Sequence, residues 1–90
     1  MIIEKKPQYR RALQSILRYI AKDKISASLR FERELEKKIF ALMDFPYQNR
    51  ASYYFENDAY RDMIFKGYTI IYKIEKDKIV ILDIFKWQDK

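Results

Sequence analysis

The residues able to do chemistry in this 90-residue sequence are basic or aromatic, because histidine and cysteine are both absent. Without imidazole the usual general base and the commonest metal ligand are gone. Without thiols there are no disulfides and no thiolate zinc sites. No metal and no cofactor are expected, and any catalysis would fall to Arg, Lys, Tyr or carboxylates. Arg50, Arg61, Lys66 and Lys86 stand near expected strand ends or in a connection. Converged on one concave face, they could hold an RNA phosphate and stabilise the charge of a developing phosphorane. Attack by a 2′-hydroxyl would still need a base, and only Tyr, a carboxylate or a perturbed Lys could serve. The plainer alternatives are scattered solvated lysines and, for Arg61, an ion pair with Asp62 or Asp83 or a solvated edge charge.

Tyrosine is the second chemical resource. Tyr47, Tyr53, Tyr54, Tyr60, Tyr68 and Tyr72 could stack on exposed bases, yet in a small mixed domain most such rings pack in the core or half-bury on a sheet. Tyr72, inside an alternating stretch, is expected to pack. Tyr53 and Tyr54 fall in an irregular connection and are the better candidates for a surface that meets a target. Trp87 follows the last apolar run, where it either caps the core edge or contacts a partner.

Short elements must position these side chains. Met1-Ile2-Ile3 predicts one brief strand, and Pro7 suits the first turn of a helix, where its missing N–H costs nothing. From Gln8 to Lys22 the apolar residues Tyr9, Ala12, Leu13, Ile16, Leu17, Tyr19 and Ile20 recur at spacings of three and four, the period of an amphipathic helix. Ser26 is the expected N-cap of a second helix, Ala27 to Met43, with the stripe Ala27, Phe31, Leu35, Ile39 and Leu42. Its flank carries further apolar groups, Leu29, Phe40 and Met43, beside Arg33. With Leu17 and Ile20 of the first helix, these exceed what a chain of this size readily buries, which suits a groove receiving an amphipathic partner segment. The alternative is that the sheet covers both stripes.

Residues 45–59 follow neither period and predict a long connection that begins a strand near Tyr53. Three strands are expected beyond it. The first runs from Tyr60 to Phe65 and ends at the only glycine, Gly67, which permits a tight turn. The second, Tyr68 to Ile74, alternates. The third, Ile79 to Phe85, is nearly all apolar and therefore central. The order β-α-α-β-β-β makes an α+β fold, a helical hairpin packed on a small, mainly antiparallel sheet.

Size and composition set the outer limits. Residues 1–90 read as one domain, since a second core would have too little chain to bury. No apolar run is long enough to span a bilayer and the start MIIEKKPQYRR has no signal-peptide h-region, so a cytoplasmic protein is expected. The net charge of +6 is uneven: residues 1–50 hold 12 Lys/Arg against 6 Asp/Glu, while residues 51–90 hold seven of each. A basic first half attracts nucleic acid, an acidic protein or an anionic surface.

Several of these stretches are similar to the RelE/ParE superfamily of toxins from type II toxin–antitoxin systems. Leu13-Gln14-Ser15-Ile16-Leu17-Arg18-Tyr19-Ile20-Ala21-Lys22-Asp23 resembles the first helix of ParE-type toxins. Leu42-Met43-Asp44-Phe45-Pro46 resembles the close of their second helix. Tyr60-Arg61 and Gly67-Tyr68-Thr69-Ile70-Ile71-Tyr72-Lys73-Ile74 resemble their hairpin, and Ile79 to Phe85 their closing strand. The resemblance covers almost the whole chain in order. It implies a growth inhibitor neutralised by a cognate antitoxin, whose acidic C-terminal segment would wrap the surface carrying Leu17, Ile20, Leu29, Arg33, Phe40 and Met43.

Within the superfamily, ParE-like members poison DNA gyrase, whereas RelE-like members cut mRNA in the ribosome with basic residues and often a Tyr. The nucleolytic subgroup commonly has Arg after the Gly-Tyr of the middle strand, where this chain has Thr69. It also often has Arg and Tyr past the last strand, where Lys86-Trp87-Gln88-Asp89-Lys90 has neither. The resemblance therefore implies the gyrase-directed kind, with Arg61, Tyr53, Tyr54 and Trp87 as target contacts. On the endoribonuclease alternative, Arg61, Lys66, Lys86 and Arg50 would be catalytic. A plain basic RNA-binding module is a third reading, weakened by the absence of Gly-rich or RNP-like motifs.

Overall fold

Pro7 opens the first helix in the computed structural model, which describes residues 1–86. In chain order the elements are β1 (Ile2–Lys5), α1 (Pro7–Asp23), α2 (Ile25–Ala41), β2 (Arg50–Ala51), β3 (Tyr60–Phe65), β4 (Tyr68–Ile74) and β5 (Lys78–Lys86). The α+β order expected from the sequence holds. The strands form one five-stranded sheet, β1-β5-β4-β3-β2. Pairing is antiparallel throughout except that β1 runs parallel to β5, from Ile2 opposite Lys78 to Lys5 opposite Ile81.

The helices pack through i, i+4 ridges. Tyr9, Leu13 and Leu17 of α1 and Phe31, Leu35 and Ile39 of α2 are buried together against Ile70, Tyr72, Ile79, Ile81 and Ile84 of the central strands. Phe31 sets its ring edge-on to Phe65 and Tyr68, at centroid distances of 5.2 and 5.5 Å, the geometry aromatic quadrupoles favour. Alternation then places Thr69 and Ile71 on the opposite sheet face, where they are also buried. Tyr54 of the 52–59 connection lies over Phe85 on that side, 5.4 Å between ring centroids.

Three boundaries differ from the sequence reading. The interhelical turn is a single extended residue, Lys24, whose N–H donates to the Ile20 carbonyl. So tight a turn starts α2 at Ile25 and puts Ser26 inside the first turn, not at the cap. Ser28, buried, instead donates its hydroxyl to the Leu17 carbonyl at 2.8 Å and ties the helices together. The strand expected near Tyr53 is β2, at Arg50–Ala51, pairing Arg50 with Asp62 and Ala51 with Arg61. In the β4–β5 pairing the register slips between Ile71 and Tyr72 of β4, leaving Leu82 of β5 as the extra residue of a bulge. The β3–β4 turn meets expectation: Lys66 and Gly67 have φ of 49° and 84°, the left-handed pair that a two-residue hairpin turn requires.

Candidate functional site

The two ends of β3 hold the four candidate basic residues in separate pairs. Arg61 lies near the start of β3, and Arg50, on β2, pairs with its neighbour Asp62. Lys66 follows the end of β3, and Lys86 pairs in register with Tyr68, itself opposite Phe65. Five residues of strand, roughly 17 Å at about 3.4 Å per residue, separate Arg61 from Lys66. Four cations so arranged do not close on one phosphate.

At the β2 end, Asp62 organises the arginines and the loop. Its carboxylate is buried, accepting from the Tyr53 backbone N–H at 3.1 Å and pairing with Arg50 at 3.6 Å. The Arg50 guanidinium lies over the Tyr53 ring, 4.0 Å from its centroid. Arg61 forms neither ion pair considered from the sequence. Its Nε donates to the Asp58 carbonyl at 2.9 Å and its guanidinium to the Asn49 carbonyl at 3.1 Å, clasping both ends of the connection. The same guanidinium lies 4.8 Å from the Tyr47 ring. Tyr72 anchors the connection from below: its hydroxyl donates to the Pro46 carbonyl at 2.7 Å and accepts from Asn49 Nδ2 at 3.1 Å. Burial raises its phenol above the ordinary range.

The result is an exposed arginine–aromatic edge. Tyr53 beside Arg50 and Tyr47 beside Arg61 are 70 and 58% exposed, and Phe45, two residues before Tyr47, is 66% exposed. Tyr53 sits on this edge, whereas Tyr54 turns to Phe85 on the outer sheet face. Trp87 lies outside the described residues. Asn49 and Phe45 are not singled out by the sequence, and Asp62 figures there only as a possible ion-pair partner of Arg61. An acidic residue between Arg61 and an apolar run was the one available signal for Asp62, and its burial comes only from the connection folding back.

At the other end, Lys66 pairs with Glu34 of α2 at 2.6 Å, an ion pair that lowers the Glu34 carboxyl. Lys86 is exposed beside an apolar groove of about 410 Å³ between α1 and β5, lined by Ile16, Tyr19, Tyr68, Ile84 and Phe85. A second groove, of about 450 Å³, runs between β1 and α2 along Ile2, Ile3, Ile39, Phe40 and Met43. Of the six residues proposed from sequence as a partner surface, Leu29, Arg33 and Phe40 are exposed. Leu17 belongs to the buried core, and Ile20 and Met43 are half-buried against it. The sheet thus covers the α1 stripe, while the outer stripe of α2 stays open. Among the described residues no helix is long and apolar enough to cross a membrane.

A helical hairpin laid on a mixed five-stranded sheet, with grooves along the helices, defines a small α+β domain. A solved structure described as "Chromosomal ParDE TA system from P. aeruginosa" shares it, with a TM-score of 0.78 over 96% of this chain and 95% of that one. At 16% identity that likeness establishes the fold. A model of the family described as "ParE toxin of type II toxin-antitoxin system, parDE" matches residues 3–89, and the chain belongs to that family. It is accordingly the ParE-type toxin of a type II system, with an antitoxin as partner. No curated protein matches the sequence.

Proposed function

We propose that this toxin arrests growth by binding a protein target, DNA gyrase, and not by cutting nucleic acid. One observation carries the reading: the basic residues a metal-free nuclease would need are divided between opposite ends of β3. Three of them are already engaged, Arg50 with Asp62, Arg61 with two backbone carbonyls and Lys66 with Glu34. The exposed arginine–aromatic edge is instead of the composition that carries binding energy in protein interfaces, where Arg and Tyr anchors dominate. Arg61 and Tyr53 are its centre, with Tyr54 and Trp87 as the other proposed contacts.

The chain acts in the cytoplasm as one toxin domain, residues 1–90. Its antitoxin covers the open stripe of Leu29, Arg33 and Phe40, and acidic residues in that segment complement the basic first half. Metabolic labelling after induction of the toxin alone tests the target. Thymidine incorporation is expected to fall before methionine incorporation. Collapse of methionine incorporation first would move the target to the ribosome and mRNA, and would reject the gyrase reading.

A further inference from the structure

The outer face of α1 is a row of cations that neither the fold nor the arginine–aromatic edge uses. The helix carries no acidic residue before Asp23. Successive residues turn by about 100°, so Arg11, Arg18 and Lys22 fall within one narrow arc. That arc lies opposite the buried Tyr9–Leu13–Leu17 stripe, while Arg10 lies about 100° round from its centre, towards α2, and also lines the groove that holds Glu36. All four are exposed, and among the described residues none pairs with a carboxylate. Arg11 reaches only Gln8, at 3.4 Å. Of the acidic residues of α2, Glu34 binds Lys66 away from this face, while Glu36 binds Lys5 in the groove that Arg10 also lines.

Most of this arrangement runs against local electrostatics, Lys22 in the last turn being the one cation the helix dipole favours. Arg10 and Arg11 sit at the positive end of the helix dipole, where anions are favoured. Arg18 and Lys22 are a like-charge i, i+4 pair, which repels. A row kept without internal compensation is the kind of local conflict that marks a binding surface. The partner's chemistry follows from what the row lacks. Between the cations stand Gln14 and Ser15, and the shallow cleft they share with Arg10, Arg11 and Arg18 has no apolar lining residue. A protein partner needs desolvated apolar anchors, and those lie around the corner of the helix, at Ile16 and Tyr19. A single strand of nucleic acid needs aromatic stacking platforms. A phosphodiester backbone needs only spaced cations and hydrogen-bond donors. The row is also a convex helical ridge. The major groove of B-DNA admits an α-helix, whereas that of A-form RNA is too narrow.

We infer that the outer face of α1, through Arg11, Arg18 and Lys22, is a sequence-independent docking surface for the phosphate backbone of duplex DNA. The surface is separate from the arginine–aromatic edge, so the toxin can engage a protein target and the DNA beside it together. The test is fluorescence anisotropy of a labelled short DNA duplex of arbitrary sequence, titrated with the full chain at several salt concentrations. With up to three phosphates neutralised, affinity should fall roughly 40-fold between about 50 and 200 mM salt.

The R11A/R18A/K22A variant should bind at least tenfold more weakly at low salt and show a much shallower salt dependence. R30A/K38A/K76A removes the same charge from elsewhere on the surface and should stay within about twofold of the unaltered chain. Circular dichroism of both variants checks the fold. Equal weakening by the two variants would reduce the effect to net charge and overturn the assignment. Absence of duplex binding at low salt would do the same. So would a stripe variant that loses polyglutamate but keeps DNA, since the face would then serve an acidic protein.

Discussion

At the scale of single residues, hydroxyl groups in the core separate structural from dispensable polarity. Tyr9 and Tyr72 are both fully buried, yet only the Tyr72 hydroxyl has partners, on Pro46 and Asn49. The Tyr9 hydroxyl has no hydrogen-bond partner among the described residues, and burial pushes its phenol above the ordinary range. A buried hydroxyl without a partner carries a desolvation cost that a paired one recovers. Tyr9→Phe should therefore leave stability unchanged or raise it by up to about 1 kcal/mol, while Tyr72→Phe should cost about 1–2 kcal/mol. Urea midpoints of the two variants decide this, and a large loss in Tyr9→Phe would show that its hydroxyl is bonded after all.

At the scale of elements, the attachment of β1 carries a pH dependence. The strand lies on the sheet edge and is held to β5 by parallel pairing and by Glu4, whose carboxylate accepts from Lys78 at 2.8 Å and pairs with Lys6 at 2.9 Å. The Lys78 and Lys6 ammoniums hold Glu4 at about 2, against an ordinary value of 4.5. Because the folded value is the lower one, the unfolded chain takes up the proton first as the solution is acidified. The stabilisation is therefore complete above about 4.5 and drains away as pH falls towards 2. Glu34, lowered by Lys66, acts in the same direction. In Glu4→Gln, stability measured by urea melts should be lower at neutral pH and should decline less across this acid window. A variant with the full acid dependence of the original chain would assign that window to other carboxylates.

At the scale of the whole molecule, burial divides the helical hairpin into a closed and an open side. The sheet covers the Tyr9–Leu13–Leu17 and Phe31–Leu35–Ile39 ridges, whereas Leu29 and Phe40 remain 58 and 69% exposed. Large apolar groups left in water on a helix that already has a buried face are best explained by a partner that covers them. Leu29→Glu combined with Phe40→Glu should leave the fold and the growth arrest intact and weaken antitoxin binding by about tenfold or more. Isothermal titration with the antitoxin, alongside a growth-rescue assay, checks both halves. Undiminished affinity would move the antitoxin to the groove between α1 and β5.

Much of the architecture was legible from one-dimensional signals because each rests on local physics. Apolar spacings of three and four marked both helices, alternation and Gly67 set the bounds of β3 and β4, and the apolar run of β5 placed it centrally. Where the chain depends on distant neighbours, those signals fail. Two-residue β2 is too short to have a period, and β1 is parallel only because the helical hairpin carries the chain across before β5 arrives. Ser26 had the right chemistry for a cap, but the one-residue turn made Lys24 the cap and put Ser26 two positions too far along. The candidate site shows the same division. Sequence alone determined which residues could act: the absence of His and Cys, the basic first half, and the identities of Arg61, Tyr53 and Phe40. Only tertiary structure decided their partners, setting Arg61 on two carbonyls and Lys66 on Glu34, and parting the four cations along β3. The reason is that side-chain type is local, whereas the distance between charges is set by strand register and by which loop folds over which edge.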